Sequence, residues 1–454
     1  MNLIKRLTEH IDKTNFNSLP SEVVERTKVF ILDTIGVGIA GCNAPGVKEI
    51  INLISRWNKT PISTIMVYGT KTSPPEAALA NSVMMHALDF DDTLDGGALH
   101  TFVSVLPAAL AVAEDKKDVD GKAFITAITL GVDMICRLGS AIKTPLSWIR
   151  TATLGSFGAT ATSAKLYGLK GEKLLNSFGI VYSQTAGNAQ CLIDGGLTKR
   201  MQPGFSAKAA VFSCALANLG VTGSKNVFEG EYGFFNLYEK GKYAPERVTK
   251  DLGNHFGIMD LSLKPYPSCR MTHAAIEAAI NIRNKFHIDI SSIEEILVYT
   301  SKMVADMVGA PFEIRDNPQV DAQFSIPYTL AVALSKGKVF LEDFLEENIK
   351  NEEIINLAKK VKVIVEPSRK ENDISWANVI IKDKYGRIFT LGVDGLKGSP
   401  QKPLTREESI DKFKQALSFS KRPSFLKKSD KLIEKILDLD RQNSISDIFH
   451  LITE

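Results

Sequence analysis

The sequence predicts a mainly α protein with a smaller α+β section set between two helical stretches. Three observations predict it. From residue 20 to about 256, apolar residues recur at helical spacing in run after run. After about residue 257, three segments switch to a period of two. A capping box at Thr405-x-x-Glu408 then restarts helix to the end.

In the first stretch, Pro20-Ser21-Glu22 is a helix start, and Val23, Val24, Thr27, Phe30 and Ile31 follow on one face. The runs VKEIINLISRW, PEAALANSVMMHALDF, FITAITLGVDMICRL and AAVFSCALANLG continue the pattern, and their Ala and Gly content lets helices approach closely. TIMVYG, residues 64–69, is a short strand-like exception. In the second stretch EEILVYTS, KVKVIVE and NVIIKDKYGRIFTL alternate apolar with polar residues, with a hairpin turn at Asp383-Lys384-Tyr385-Gly386. MTHAAIEAAINIRNKF and QFSIPYTLAVALSKG read as helices between them, and GLKGSP, residues 395–400, as a linker.

Composition limits what such a chain can do. Its 454 residues exceed one small core, so two domains are expected. A net charge of +3 with scattered Lys and Arg gives no footprint for nucleic acid. Five widely separated cysteines, Cys42, Cys136, Cys191, Cys214 and Cys269, fit neither a disulfide framework nor a zinc knuckle, and suggest a reduced, cytoplasmic protein. The first residues, MNLIKRLTEHIDKTNF, are amphipathic and carry acids, unlike a signal or transit peptide. Eighteen uninterrupted apolar residues occur nowhere, so no membrane span is expected.

The segment LDFDDTLDGG, residues 88–97, places Asp89, Asp91, Asp92 and Asp95 in an apolar setting. A phosphatase nucleophile loop would need a buried β-branched strand before Asp89, where NSVMMHAL reads as helix. A calcium loop counted from Asp91 would put Phe102 where a bidentate Glu belongs. A diphosphate-binding Mg²⁺ motif would need a second acidic cluster, and none is found. Gly36-x-Gly38-x-x-Gly41 follows a helix, whereas a dinucleotide fingerprint must follow a strand; close helix packing explains it better. If the helix continues to residue 93, His86, Asp89 and Thr93 share one face, and Asp91 and Asp92 turn away to cap or pair with neighbours. The loop DGGALH then brings His100 back toward that face. On these residues His86 reads as structural.

Five blocks carry a resemblance along nearly the whole chain: HALDFDDT with a loop His and VLPAALA; TATLGSFGATATSAKLYGL; LTKRMQPGFSAKA with FEG and YGFF; KPYPSCRMTH; and DAQFSIPYTLA. In this order they resemble the MmgE/PrpD family, which includes 2-methylcitrate dehydratase, cis-aconitate decarboxylase and iminodisuccinate epimerase. The resemblance implies a large all-helical domain formed by both chain ends, residues 1–256 plus 401–454, with an inserted α+β lid domain, 257–400. It implies no metal and no cofactor, a small di- or tricarboxylate substrate, and, with the Ala- and Gly-rich helices, a homodimer.

Carried over position by position, the family's site residues fall on Asp89, Thr93, His100, Lys199 and Tyr328. Arg200, Lys264, Cys269, Arg270 and His273 lie inside the matched blocks as candidate substrate contacts. A polycarboxylate needs cationic clamps, and proton transfer beside a carboxylate needs a base and a stabiliser of the enediolate. His100 is the expected base, with Lys199 and Tyr328 as cation and proton donor. At Ile149-Arg150 many members carry His before Pro, so a guanidinium stands near an expected imidazole. The expected activity is a cofactor-independent lyase, dehydratase or decarboxylase. An isomerase or epimerase of a substituted succinate and a non-catalytic polycarboxylate-binding protein are the alternatives.

Overall fold

A computed structural model describes residues 2–454 and divides them into two compact units. The first runs to Ser262 and resumes with Thr405–Glu454; the second is Leu263–Leu404. The helical unit extends past the expected end at 256 because residues 257–262 are bonded into it. The Gly257 amide donates to the Asp133 carboxylate, the Arg26 guanidinium donates to the carbonyls of Ile258 and Leu261, and Ser262 and Thr93 exchange backbone hydrogen bonds.

Nine long helices build the N-terminal part of this unit: α1 (Leu3–Lys13), α2 (Ser21–Ala40), α3 (Val47–Trp57), α4 (Pro74–His86), α5 (Phe102–Lys116), α6 (Gly121–Ala141), α7 (Arg150–Tyr167), α8 (Gly171–Tyr182) and α9 (Thr198–Asn218). Helices α4, α5, α6, α7 and α9 pack on one another as its core. Small residues set these contacts. A Cβ on Gly131 of α6 would lie 2.0 Å from Thr162 Oγ1 and 2.7 Å from the Gly158 carbonyl of α7, and one on Gly158 would lie 2.6 Å from the Gly131 carbonyl. The glycines of the 36–41 motif act likewise in α2 and just after it: Gly36 faces Phe413, Gly38 faces Met85, and Gly41 lies under the Met84 carbonyl. Helix α6 is long and apolar enough to cross a membrane, which the sequence reading did not expect; 89% of its apolar window is buried inside the protein, as in a core helix.

The strand-like stretch at 64–69 is mostly turn. Only Ser63–Thr64 (β1) is strand, paired antiparallel with Lys71–Thr72 (β2), and Val67 at φ 70° bridges to Thr453.

The second unit carries a four-stranded sheet in the order β4-β3-β5-β6, from Ile293–Thr300 (β3), Val361–Val365 (β4), Trp376–Asp383 (β5) and Ile388–Asp394 (β6). Only the β3–β4 pair is parallel. Alternation puts Ile296, Val298, Val379 and Ile381 on the buried face, against α10 (His273–Phe286) and α11 (Ile326–Lys336). The hairpin turn forms where expected. Asp383 accepts from the backbone amides of Tyr385 and Arg387, and Gly386 takes φ 78°. The linker-like GLKGSP is also tied down: the Leu263 amide donates to the Gly398 carbonyl, and Gly398 to that of Lys402.

Helices α12 (Arg406–Phe419) and α13 (Pro423–Leu437) return the chain to the first unit, where both pack on α2. The capping box starts α12: Glu408 N–H donates to Thr405 Oγ1 at 3.1 Å, and Thr405 N–H to Glu408 Oε2 at 3.0 Å.

The α6–α7 crossing makes a testable point. Gly131→Ala is expected to destabilise the protein by about 1–3 kcal/mol, because the methyl overpacks a backbone contact. Gly96→Ala, where a Cβ meets nothing within 4 Å, serves as the reference. Equal chemical denaturation midpoints for the two variants would contradict the assignment.

Candidate active site in the helical unit

Helix α4 begins with Ser73 ahead of Pro74 and Pro75 and stops at His86, not at residue 93. The reason is in the backbone. Asp89 has φ 52°, a left-handed conformation that no helix continues through. The expected shared face of His86, Asp89 and Thr93 is therefore not formed, and residues 87–101 make a pinned loop.

Each aspartate of this loop has its own task. Asp92, fully buried, accepts from Thr101 N–H and Oγ1, both at 2.8 Å, and from Phe102 N–H at 3.0 Å. It caps α5 from nine residues upstream, meeting donors that a helix start leaves unsatisfied. Asp95 accepts from the Ser262 hydroxyl at 2.7 Å. Asp89 pairs with Lys199 Nζ at 2.8 Å, bringing the start of α9 to the loop. Oδ2 of Asp91 accepts from Nδ1 of His86 at 2.9 Å and lies 3.0 Å from Nδ1 of His100. Below the loop, Lys412 of α12 donates to the Phe90 carbonyl at 2.9 Å and pairs with Asp33 of α2 at 2.8 Å.

His100 is held on three sides. Its backbone N–H donates to Thr151 Oγ1 at 3.1 Å, and its Nδ1 lies 2.6 Å from the Asp92 carbonyl as well as against Asp91. A carbonyl oxygen only accepts, so Nδ1 carries the hydrogen and proton exchange is left to Nε2. Nε2 makes no hydrogen bond among the described residues. Arg150 braces the same loop, donating to the carbonyls of Gly97 at 3.3 Å and Thr144 at 2.6 Å. Its guanidinium is thus a strut, one residue after the position at which the family resemblance implies an imidazole.

The surroundings split the protonation of these groups. Burial alone would raise Asp91, but the two imidazoles outweigh it and hold the carboxyl well below its ordinary value. Asp92 goes the other way, pushed up to about 6 by burial and by the Asp91 charge beside it. His86 is pushed down to about 4, first by burial and next by the Lys199 ammonium. Arg200, donating to the Pro45 carbonyl at 3.3 Å, is lowered by burial.

Of the sequence-derived residues, Asp89, Thr93, His100, Lys199 and Arg200 belong to this unit, with Thr93 bridged to Ser262 through its backbone. Lys264, Cys269, Arg270, His273 and Tyr328 belong to the second unit. There, Arg270 donates to the Lys397 carbonyl at 2.9 Å and faces His273 Nδ1 at 3.0 Å, and His273 opens α10. Lys264 is buried, and the Cys269 N–H donates to the Gln323 carbonyl. Tyr328, expected as a proton donor, is 1% exposed and its hydroxyl donates to the Asp343 carbonyl. Burial raises its phenol well above the ordinary value, so that proton is already engaged. The sequence reading missed the pairing of His86 and Asp91 with His100. The signal was present in the five-residue spacing of His86 and Asp91, once the helix is stopped between them.

His86, Asp91 and His100 place three ligating atoms within 4.8 Å of one another, a set that suits a divalent cation by composition. Their hydrogen bonding does not suit one. The Nδ1 lone pair of His100 is absent while its hydrogen faces the Asp92 carbonyl, and both imidazole contacts to Asp91 are at donor–acceptor distance.

Comparisons with known proteins agree along most of the chain. Residues 5–246 match the MmgE/PrpD N-terminal domain and residues 266–442 the MmgE/PrpD C-terminal domain. The chain belongs to the MmgE/PrpD family. It is similar to cis-aconitate decarboxylase of Aspergillus terreus, 28% identical over 96% of this chain and 93% of that one. It is 26% identical to cis-aconitate decarboxylase of Homo sapiens over the same shares. To 2-methylcitrate dehydratase of Escherichia coli (strain K12) it is 22% identical, over 80% of this chain and 78% of the other.

Two outcomes are expected. The folded protein keeps His86 neutral down to about pH 4, whereas the unfolded chain protonates it near 6.5, so its contribution is present above pH 6.5 and lost as pH falls toward 4. The full loss is about 3 kcal/mol. Thermal melts of wild type and His86→Asn from pH 7 to 4 should show the gap between them narrowing on acidification; a constant gap would refute the neutral assignment. Separately, dialysis against EDTA should leave the melting temperature unchanged, with less than one equivalent of Zn²⁺ or Mg²⁺ found by elemental analysis beforehand. A stoichiometric metal whose removal lowers the melting temperature would reverse the hydrogen-bond reading of the cluster.

Proposed function

We propose that this chain is a lyase acting on an aconitate- or citrate-like tricarboxylic acid, through proton transfer at a carbon beside a carboxylate, with decarboxylation the favoured reaction. The observation that carries the reading is the state of His100, whose Nδ1 hydrogen is fixed by the Asp92 carbonyl while Nε2 stays open. The Lys199 ammonium, held at Asp89 in the same unit, supplies a cation for a carboxylate. Decarboxylation is favoured because the match to cis-aconitate decarboxylases covers 96% of the chain, against 80% for the dehydratases.

The chemistry fits one proton carrier. In an unsaturated tricarboxylic acid with a carboxymethyl branch, the bond to that branch's carboxyl carbon breaks and CO₂ leaves. The electron pair becomes a new double bond, and the old double bond takes a proton at the carbon beside another carboxylate. Imidazolium at His100 supplies that proton from Nε2 and regains one from water. In dehydration the same nitrogen, neutral, accepts a proton from such a carbon as the carbon–oxygen bond to the hydroxyl breaks, and the imidazolium then gives that proton to the departing hydroxide, which leaves as water. Either way Asp91 steadies the charge on the ring, and Lys199 offsets charge that builds on the substrate.

A panel of cis- and trans-aconitate, citrate, 2-methylcitrate and chiral substituted succinates, followed by NMR in D₂O, tests the reading. Loss of CO₂ from an aconitate-like acid, with one deuterium in the product, is expected; dehydration without CO₂ would move the assignment to the dehydratase branch. Epimerisation of a succinate alone, or binding without turnover, would overturn it. His100→Gln should lower kcat by ~10²-fold or more with little change in KM, whereas Lys199→Ala should raise KM as well, since a clamp serves ground and transition states alike.

A further inference from the structure

We propose that His86 is a positioning residue for His100, acting through Asp91: it holds the shared carboxylate in line and, as a second donor to the same oxygen, sets how strongly that carboxylate stabilises a proton on His100. The inference rests on the proton-transfer role given to His100 above, and it adds a residue whose place on an apolar helix marks it as structural.

The geometry fixes the direction of every bond. His100 carries its hydrogen on Nδ1 because the Asp92 carbonyl, 2.6 Å away, can only accept. Asp91 is ionised, so His86 Nδ1 at 2.9 Å donates to it too. The other ring nitrogen of His86, Nε2, is buried without a hydrogen-bond partner among the described residues. A hydrogen placed there would be stranded, which keeps the ring neutral with its one hydrogen aimed at Asp91. Both donors meet Oδ2, while Oδ1 is likewise buried without a partner. The imidazoles lie edge to face with centroids 4.9 Å apart.

Two donors on one oxygen divide its hydrogen-bonding capacity. If the His86 donor is removed, the whole of that oxygen turns to His100, and His100 binds its proton more tightly. The other charged groups facing the cluster stay in place under that change. They are Lys199 of α9 with Asp89, Asp92 beside Asp91, Asp33 of α2 with Lys412 of α12, and Arg150 at the start of α7. A residue that merely filled space would leave the His100 titration alone, and this difference makes the proposal testable.

The chain has seven histidines, few enough for selective ¹⁵N-histidine labelling of the full protein and long-range ¹H–¹⁵N spectra, which report both tautomer and titration. In wild type, His86 and His100 should appear as Nδ1–H tautomers. In His86→Leu, which has no donor, the His100 midpoint should rise by roughly one pH unit. His86→Asn, whose amide nitrogen takes the place of Nδ1, should restore it to within a few tenths of wild type. The limb of the kcat/KM profile governed by His100 should move to higher pH by the same amount in the Leu variant. An Nε2–H tautomer at His100, or a midpoint in the Leu variant that is unchanged or lower, overturns the proposal. If the Leu variant does not fold, His86→Ala, which also lacks a donor, gives the same decision: the midpoint should rise, and an unchanged or lower one refutes the coupling. The titration needs no substrate. Expected shifts without turnover of any acid would therefore leave the coupling standing and remove the lyase reading, whereas turnover with an unmoved midpoint would remove the coupling alone.

Discussion

Asp92 is held between two demands, and the loop depends on both. Its carboxylate caps α5 by accepting from the Thr101 and Phe102 amides and the Thr101 hydroxyl, and its carbonyl accepts from His100 Nδ1. The cap fixes where α5 starts, and the carbonyl fixes which nitrogen of His100 exchanges a proton. Removing the carboxylate would expose buried donors at the helix start, a loss of ~0.5–2 kcal/mol for a cap of this kind. It would also free the peptide that orients the imidazole. Stability and chemistry therefore meet at one residue.

Its neighbour shows how far environment, not residue type, decides a carboxyl group's behaviour. Asp91 and Asp92 are adjacent and both fully buried, yet Asp91 is driven well below its ordinary value while Asp92 is pushed up to about 6. The difference lies in the donors. Two imidazoles face Asp91, whereas Asp92 meets neutral backbone and hydroxyl donors and the charge of Asp91 itself. Two carboxylates side by side in a dry interior are tolerated because they repel each other into different protonation behaviour.

The helices were legible in the sequence because 3.6-residue periodicity survives in long runs, and the capping box at Thr405 marks a boundary that the structure keeps to the residue. The end of α4 was not legible. Ala87 and Leu88 continue the apolar pattern, and only the positive φ of Asp89 shows that the helix has stopped. The cap on α5 was hidden for a related reason: its side chain comes from nine residues upstream, outside the local window in which caps are sought. Lys199 and Asp89 stand 110 positions apart and Lys412 and Phe90 322 apart, so no spacing rule joins them. The family motifs supplied Asp89, His100 and Lys199 as names without contacts. The partnership of His86 and Asp91 needed coordinates, because a histidine on an apolar helix looks the same whether it fills space or donates a hydrogen.

Lys412 has a further consequence, in the order of synthesis. It reaches the loop from a helix made after the whole inserted unit, and the backbone of Val67 pairs with Ile452 and Glu454, also made after that unit. A nascent chain emerging from its N-terminus holds α2, α4 and α5 long before either support exists. The inserted unit, by contrast, is one continuous stretch, Leu263–Leu404, with its sheet and both long helices encoded inside it. Its internal contacts need no residue made later than Leu404, whereas α12 and α13, which pack on α2 in the first unit, are made only after it. Vectorial synthesis thus supplies the middle unit with all of its own residues before the first unit, begun earlier, has received the helices that pack on α2.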